Sequence, residues 1–338
     1  MSGRSVLAPL TPLYRMGLAL RERRLRSGAE AVQRLRLPVI SVGNLSTGGA
    51  GKTPLTIALA RGLASRGVPV DVLSRGYGRT GLAPARVRAD GSADEFGDEP
   101  LLIARMAGVP VYVATQRYDA GLLAESETPP GVRGVHLLDD GFQHRQLSRD
   151  VDILLLSGAD LRDRLMPGGN LREPLDALQR AAVLAIPAGD EDVERYLRQP
   201  VRTQGRSEVS RWVGPVWRLR RSMDVPEVAG PVLAFCGIAR PEQFFAGLEA
   251  AGVWLAGRRV FRDHYRYTAA DLERLATQAK AAGADALLTT EKDAVRLAGL
   301  QASVPLLTAG LRTEIEDKAA ALEWLMGRIA GRVDGAGR

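Results

Sequence analysis

The sequence predicts an α/β protein: a doubly wound, mainly parallel sheet joined to a second, smaller α/β domain. Three observations carry that expectation. From residue 37 to about 188, short apolar runs alternate with helical patterns, the rhythm of strands covered by helices on both faces. The first of these runs passes directly into a glycine-rich loop and then a helix. Over 190–230 the rhythm breaks, and it resumes at Pro231.

Residues 1–36 read as a basic helical segment. Residues 7–26 suit one helix, with Thr11 as N-cap and Pro12 at the first helical position. Leu10, Leu13, Tyr14, Met16, Leu18 and Leu20 give it a wide apolar side, and its second half is dense in Arg. Two readings fit: an interfacial helix lying among anionic headgroups, or a helix packed on the body of the protein with a solvated basic end. In the first unit, 37–189, strands are expected at 38–42, 68–73, 109–114, 132–138, 151–156 and 181–186, with helices at 52–66 and 100–107. The 190–230 stretch holds Pro200, Gly205, Gly214, Pro215 and Pro226 around short alternating runs at 209–213 and 216–219. It reads as a linker that suits a two-stranded ribbon. The second unit, 231–330, offers strands at 232–236, near Val260, at 286–290 and at 304–308, with helices at 241–251, 269–282 and 316–329. A tail, 331–338, remains.

Composition narrows the function classes. At 45% hydrophobic and 25% charged residues, the chain is an ordinary globular one and not a disordered one. The single cysteine, Cys236, excludes a disulfide framework and a Cys-based zinc site, and three histidines exclude a His-rich metal site. No run approaches the ~18 apolar residues of a spanning helix, and Pro9, Pro12 and Arg15 interrupt any signal-peptide core. The expectation is a cytoplasmic chain that touches a membrane without crossing it. Its excess of basic residues lacks interleaved stacking aromatics, so nucleic-acid binding is unsupported.

The strongest motif runs from Val39 to Pro54, Val-Ile-Ser-Val-Gly-Asn-Leu-Ser-Thr-Gly-Gly-Ala-Gly-Lys-Thr-Pro. This is a P-loop in its required context, which makes the sheet one of the P-loop kinase type. Ser46, Thr47, Gly48, Gly49, Ala50 and Gly51 form the phosphate-binding turn. Lys52 is aimed at the β- and γ-phosphates and the Thr53 hydroxyl at Mg²⁺. Ser46 stands where a glycine is usual.

Val135 to Asp140 is an apolar strand ending in two carboxylates, the Walker B arrangement. Asp139 is the better Mg²⁺ partner and Asp140 an auxiliary. The continuation Gly141-Phe142-Gln143-His144-Arg145 sets an amide, an imidazole and a guanidinium at the same edge. His144 reads equally as a loop histidine or as a phosphate or substrate contact. Asp98-Glu99, ahead of an apolar helix, suits capping or a carboxylate base beside the γ-phosphate. Ser74-Arg75-Gly76-Tyr77-Gly78-Arg79 and Met166 to Pro174 each follow a strand and suit an anionic or sugar ligand, or a solvated loop. Asp263-His264 suits proton work or a polar loop. Thr289 to Asp293 is similar to base-reading turns of nucleotide-binding folds.

Together these strings resemble the tetraacyldisaccharide 4'-kinases, lipid A pathway enzymes that phosphorylate a lipid-linked glucosamine disaccharide. The resemblance covers almost the whole chain. It rests on the loop from Ser41 to Pro54, then Leu73 to Arg79, Gly97 to Pro100, Leu137 to Arg145, Leu171 to Pro174, Asp263 to Tyr265 and Leu287 to Leu297, in that order. It implies ATP-dependent transfer of the γ-phosphate to the 4'-hydroxyl of the distal glucosamine. It also implies a catalytic carboxylate at Asp98 with its histidine partner at His264, a dyad shared between the two units. Lys52 keeps its phosphate role, Asp139 and Asp140 organise magnesium and charge, and Glu99 stands with them as a further metal contact. Arg75, Arg117, Gln143, His144, Asn170 and Arg172 are the expected substrate contacts. The family's peripheral location on the cytoplasmic face of the bacterial inner membrane favours the interfacial reading of residues 1–26, and no obligate protein partner is implied. The rival reading is a P-loop ATPase switch of the partitioning, targeting or metallochaperone type. Such a switch has no need of a second α/β unit or of an Asp98–His264 pair.

Overall fold

A computed structural model describes residues 3–49, 51–198, 212 and 214–333 of the chain. In the first unit, β1 (Val39–Asn44) leads through α2 (Lys52–Ala64) to β2 (Val70–Ser74), β3 (Ala85–Arg86) and β4 (Val111–Val113). Helices α3 (Ala93–Phe96) and α4 (Asp98–Ala107) lie between β3 and β4, and α5 (Arg117–Glu127) follows β4. Then come β5 (Val135–Asp139), β6 (Val151–Leu155), α6 (Gly158–Arg162), β7 (Val183–Pro187) and α7 (Glu191–Arg198). The second unit holds β9 (Val232–Cys236), α8 (Pro241–Ala250), β10 (Leu255–Val260), α9 (Ala269–Ala281), β11 (Ala286–Thr290) and α10 (Glu291–Arg296). Between and after these run β8 (Val216–Asp224), β12 (Leu306–Ile315) and α11 (Lys318–Val333), and α1 (Thr11–Arg26) precedes them all.

The strands expected from the apolar runs are present, and those of the first unit pair in parallel except at the short edge strand β3. Every residue of β1, β2 and β5 is buried, as strands covered on both faces require. The spatial order places β1 between β6 and β5, with β2 beyond β5. The chain therefore reverses direction across the sheet at β1. Loops leaving the carboxyl ends of β1, β5 and β2 converge there, which is where open α/β sheets bind ligands.

The stretch expected as a linker is a structural joint. β8 pairs in parallel with β7 over Val216–Leu219 and antiparallel with β12 over its second half, from Leu219 to Asp224. The ribbon thus forms, but its second strand comes from residues 306–315 and not from 190–230; the run at 209–213 lies outside the described residues apart from Trp212. One continuous sheet results, in the order β10-β9-β11-β12-β8-β7-β6-β1-β5-β2-β4-β3. Because β8 extends past the end of β7 and β12 runs back along it, the carboxyl ends of β9 and β11 point toward those of β1 and β5. The two ligand-binding edges face each other.

Two further differences concern the ends of the chain. Helix α11 was expected in the second unit, but its Leu322, Leu325 and Ile329 enter the first unit's core with Leu59 and Leu63 of α2. Contact is close enough that a Cβ on Gly62 would fall 2.7 Å from the Leu322 side chain. At the other end, Leu10, not Thr11, occupies the N-cap position of α1, so the Thr11-Pro12 pair starts the helix from inside. Tyr14 and Leu18 pack against the first unit, whereas Leu10, Leu13, Met16 and Leu20 stay exposed, Met16 by 63%.

Candidate active site

The glycine-rich loop is held open by its own backbone and braced from below. Gly51 takes a left-handed φ of 89° as the N-cap of α2, and Gly48 a φ of 92°, conformations that side chains other than glycine's resist. Ser46 accepts a hydrogen bond from Asn44 Nδ2 at 3.1 Å, tying the loop to the end of β1. The Thr47 N–H donates to the Asn170 carbonyl at 2.8 Å. Lys52 donates to Asn44 Oδ1 at 3.0 Å, with its Nζ 3.6 Å from Asp140. Thr53 sits in the first turn of α2, Gly49 lies beside Gly48, and Ala50 falls outside the described residues.

The register β1–β5 sets Val42 against Asp139, so the carboxylate pair ends beside the loop. Asp139 is buried and accepts the Thr56 hydroxyl at 3.1 Å. Burial and the nearby Glu99 and Asp140 charges push its carboxyl above the usual range, against the pull of Lys52. Asp140, at φ 48°, turns the other way. Partial burial works against its ionisation, but Lys52 and Arg172 hold it down to about 2. Arg172 reaches Asp140 with both terminal nitrogens, at 3.1 and 2.8 Å, and Asn44 Oδ1 at 2.7 Å. Among the described residues no group of three or more His, Cys, Asp and Glu side chains forms a metal cage. Asp139 and Glu99 on the cleft wall and Thr53 in the first turn of α2 are a sparse oxygen set, of the kind that suits a Mg²⁺ taking most of its oxygens from phosphates and water.

Beside this lies a cleft of about 480 Å³ lined by Arg75, Arg117, Arg172, Gln143, His144, Glu99, Asp139, Asp140 and His264 among others. Of the expected substrate contacts, only Asn170 is absent from this wall. Its amide donates to Asp163 at 2.8 Å and its carbonyl supports Thr47, so it braces the loop instead. Arg117 is buried with its Nε unpartnered among the described residues. Burial first, then the cations Arg117, Arg149, Arg21 and Arg75, push His144 down to about 4, so it is a neutral imidazole at neutral pH. Gln143 donates to the Asn44 carbonyl at 3.0 Å.

The structure brings Asp98 and His264 together across the two units, with His264 Nδ1 3.0 Å from Asp98 Oδ2. His264 lines the cleft and rests against the Tyr77 ring at 5.6 Å, while Asp98 stands behind it, 6% exposed. Burial works against ionisation of Asp98, but the His264 hydrogen bond and the Lys292 and Arg296 charges hold its carboxyl well below the usual range. In the 289–293 segment, Lys292 donates to Glu99 at 3.0 Å and Asp293 is fully buried.

Sequence reasoning missed several site residues. Arg221 of β8 lies against the loop, where a Cβ on Gly51 would fall 2.6 Å from its Nη2. Asn44 links Ser46, Lys52 and Arg172, and Arg21 of α1 reaches the Gln143 carbonyl at 2.8 Å. Only Asn44 carried a local signal, its place at the end of the P-loop strand.

A phosphate-binding loop alone fits a switch as well as a kinase. A cleft with its own carboxylate–imidazole pair and a wall of arginines fits an enzyme that hands a phosphoryl group to a second molecule. The class is a P-loop phosphotransferase. The model of the tetraacyldisaccharide-1-P 4'-kinase family matches residues 3–330, and the chain belongs to that family. It is 41% identical over 336 residues to the tetraacyldisaccharide 4'-kinase of Koribacter versatilis, covering 96% of this chain and 99% of that one. The corresponding kinase of Anaeromyxobacter sp. strain Fw109-5 is 43% identical over 324 residues, 90% and 86% of the two chains. The crystal structure of LpxK from Aquifex aeolicus in complex with ATP aligns with a TM-score of 0.75 at 34% identity, over 96% of this chain and 99% of that one.

Proposed function

We propose that the protein transfers the γ-phosphate of ATP to the 4'-hydroxyl of a tetraacylated glucosamine disaccharide 1-phosphate, a step of lipid A synthesis. The observation that carries this reading is the Asp98–His264 pair, held at 3.0 Å beside an arginine-lined cleft whose wall includes Asp140, 3.6 Å from Lys52 of the P-loop. The P-loop amides and Lys52 hold the nucleotide phosphates, Lys52 leaving Asn44 and Asp140 to do so. Asp139, Glu99 and Thr53 would hold Mg²⁺, which when bound neutralises charge on the β- and γ-phosphates. Asp140 and Arg172 set the position of Lys52 and Asn44. The acceptor hydroxyl loses its proton to the Asp98–His264 pair, whose imidazole faces the cleft and whose carboxylate is kept ionised behind it. Arg75, Arg117 and neutral His144 suit the anionic disaccharide phosphate.

The acceptor's acyl chains cost about 0.8 kcal/mol per CH₂ to expose to water, so the enzyme meets it at the bilayer. No helix among the described residues is long and apolar enough to cross a membrane. The exposed row Val6, Leu10, Leu13, Met16 and Leu20, spaced three to four residues apart, supports peripheral attachment to the cytoplasmic face of the inner membrane. Arg15, Arg23, Arg24 and Arg26 of α1 add charge suited to anionic headgroups. The switch reading is not favoured by the relatives, which are named as kinases throughout. Asp98→Ala tests the assignment: nucleotide binding persists and transfer to the lipid is lost. Retained turnover would remove the pair from the mechanism.

A further inference from the structure

Helix α10, which follows β11, carries two basic side chains that reach the first unit, Lys292 at Glu99 and Arg296 at Asp98. The side chain of Arg296 is 6% exposed, and its guanidinium divides its nitrogens between the two units. Nε donates to Asp98 Oδ2 at 2.9 Å, and Nη2 lies 2.8 Å from the same oxygen. Nη1 donates to the Gly237 carbonyl at 2.9 Å and to Asp293 Oδ1 at 3.0 Å. That same Gly237 carbonyl accepts the backbone N–H of His264 at 3.2 Å. Asp293, 0% exposed, is fixed in turn by the Gly237 N–H and the Tyr267 and Thr290 hydroxyls, at 3.1, 2.9 and 2.6 Å. One fork therefore touches the carboxylate of the pair directly and, through the shared Gly237 carbonyl, supports the backbone of the loop that carries its imidazole.

We propose that Arg296 is the positioning residue of phosphotransfer: it registers the His264 loop against Asp98, so that the pair forms only when the second unit is seated on α4. The proposal rests on the kinase reading above. Only a planar fork with donors in three directions makes these contacts at once; an ammonium in the same place reaches one side or the other. His264 needs such support, because it sits at a φ of 57°, a conformation that costs a residue other than glycine free energy. The parallel contact, Lys292 to Glu99, is the more exposed of the two bridges and touches neither member of the pair. Arg296 reaches no cleft surface, so it acts through Asp98 and His264 and not on the substrate.

The test uses the full chain with Arg296→Gln and Arg296→Lys, measuring nucleotide Kd, and kcat and KM with tetraacyldisaccharide 1-phosphate as acceptor. Loss of a supporting partner of this kind costs about 10- to 100-fold in activity. The expected result is that loss in kcat for Arg296→Gln, with nucleotide Kd and acceptor KM unchanged and partial recovery in Arg296→Lys. In a His264→Ala background, removing Arg296 costs little more, because groups acting as one unit are not additive. Wild-type kcat in Arg296→Gln overturns the proposal, and so do losses that add fully to those of His264→Ala. Should Arg296→Gln not fold, Arg296→Lys carries the same comparison, with wild-type kcat again overturning it. A wild-type protein that transfers no phosphate contradicts the kinase reading itself, and the proposal falls with it; transfer by wild type together with undiminished variants contradicts the positioning role alone.

Discussion

Asp98 and His136 show how one chain uses buried charge for opposite ends. Asp98 stands at the carboxyl edge of the sheet, where the His264 hydrogen bond, the Lys292 and Arg296 charges and a helix N-terminus keep it ionised behind the cleft. In the proposed mechanism its replacement by alanine removes the carboxylate that supports the cleft-facing imidazole, a change worth about 100- to 10,000-fold in transfer rate, with ATP binding intact by titration calorimetry. His136, near the opposite end of β5, is fully buried between Asp71 at 2.7 Å and Glu125 at 3.4 Å. Burial opposes its charge, but the two carboxylates win and raise it from 6.5 to about 9. A raised histidine contributes stability that is complete below pH 6.5 and is lost as pH rises through about 9. That contribution is roughly 3 kcal/mol. Urea unfolding of the wild type therefore shows stability falling across that window. His136→Gln is less stable at pH 6 and flatter with pH; a parallel pair of curves would refute the assignment. Sequence disclosed little of either residue's surroundings. Asp98 and His264 are 166 positions apart, and their pairing came from resemblance to a family, while local pattern allowed a cap and a loop. Asn44 signalled only its place at the end of the P-loop strand and Arg296 gave no signal, since the contacts of each are made only after folding.

At the level of elements, short apolar runs located nearly every strand, because a strand buried on both faces must be apolar along its length. What pattern could not disclose was partnership. β8 alternates like an edge ribbon strand, yet its neighbours are β7 and β12, the latter about ninety residues away in sequence. α11 reads as the last helix of the second unit and packs on α2 of the first. The N-terminal helix combines both readings its sequence allows. Tyr14 donates to the Arg172 carbonyl at 2.9 Å, and Glu22 pairs with Arg145, docking one side on the site loops. The other side leaves Leu13 and Met16 in water. Burying such a side chain in a bilayer is worth about 1.5–3 kcal/mol. Leu13→Asp and Met16→Asp should therefore each lower association with anionic vesicles about tenfold or more, while melting temperature stays at the wild-type value. An unchanged bound fraction in sedimentation would make the exposed row incidental.

Across the whole molecule, the antiparallel joint between β8 and β12 is what turns two parallel sheets into one enzyme. It points both carboxyl edges at a shared cleft, with the glycine-rich loop and the arginine wall from the first unit and the His264 imidazole from the second. In the proposed mechanism, a proton acceptor completed only by both units would limit phosphoryl loss to water. The direct test of the central claim is to supply the purified protein with Mg²⁺, γ-labelled ATP and tetraacyldisaccharide 1-phosphate in mixed micelles, and to follow the label. Label on the lipid at the 4'-position is the predicted result. ATP hydrolysis with no labelled lipid, stimulated instead by a protein partner, would contradict it and restore the switch.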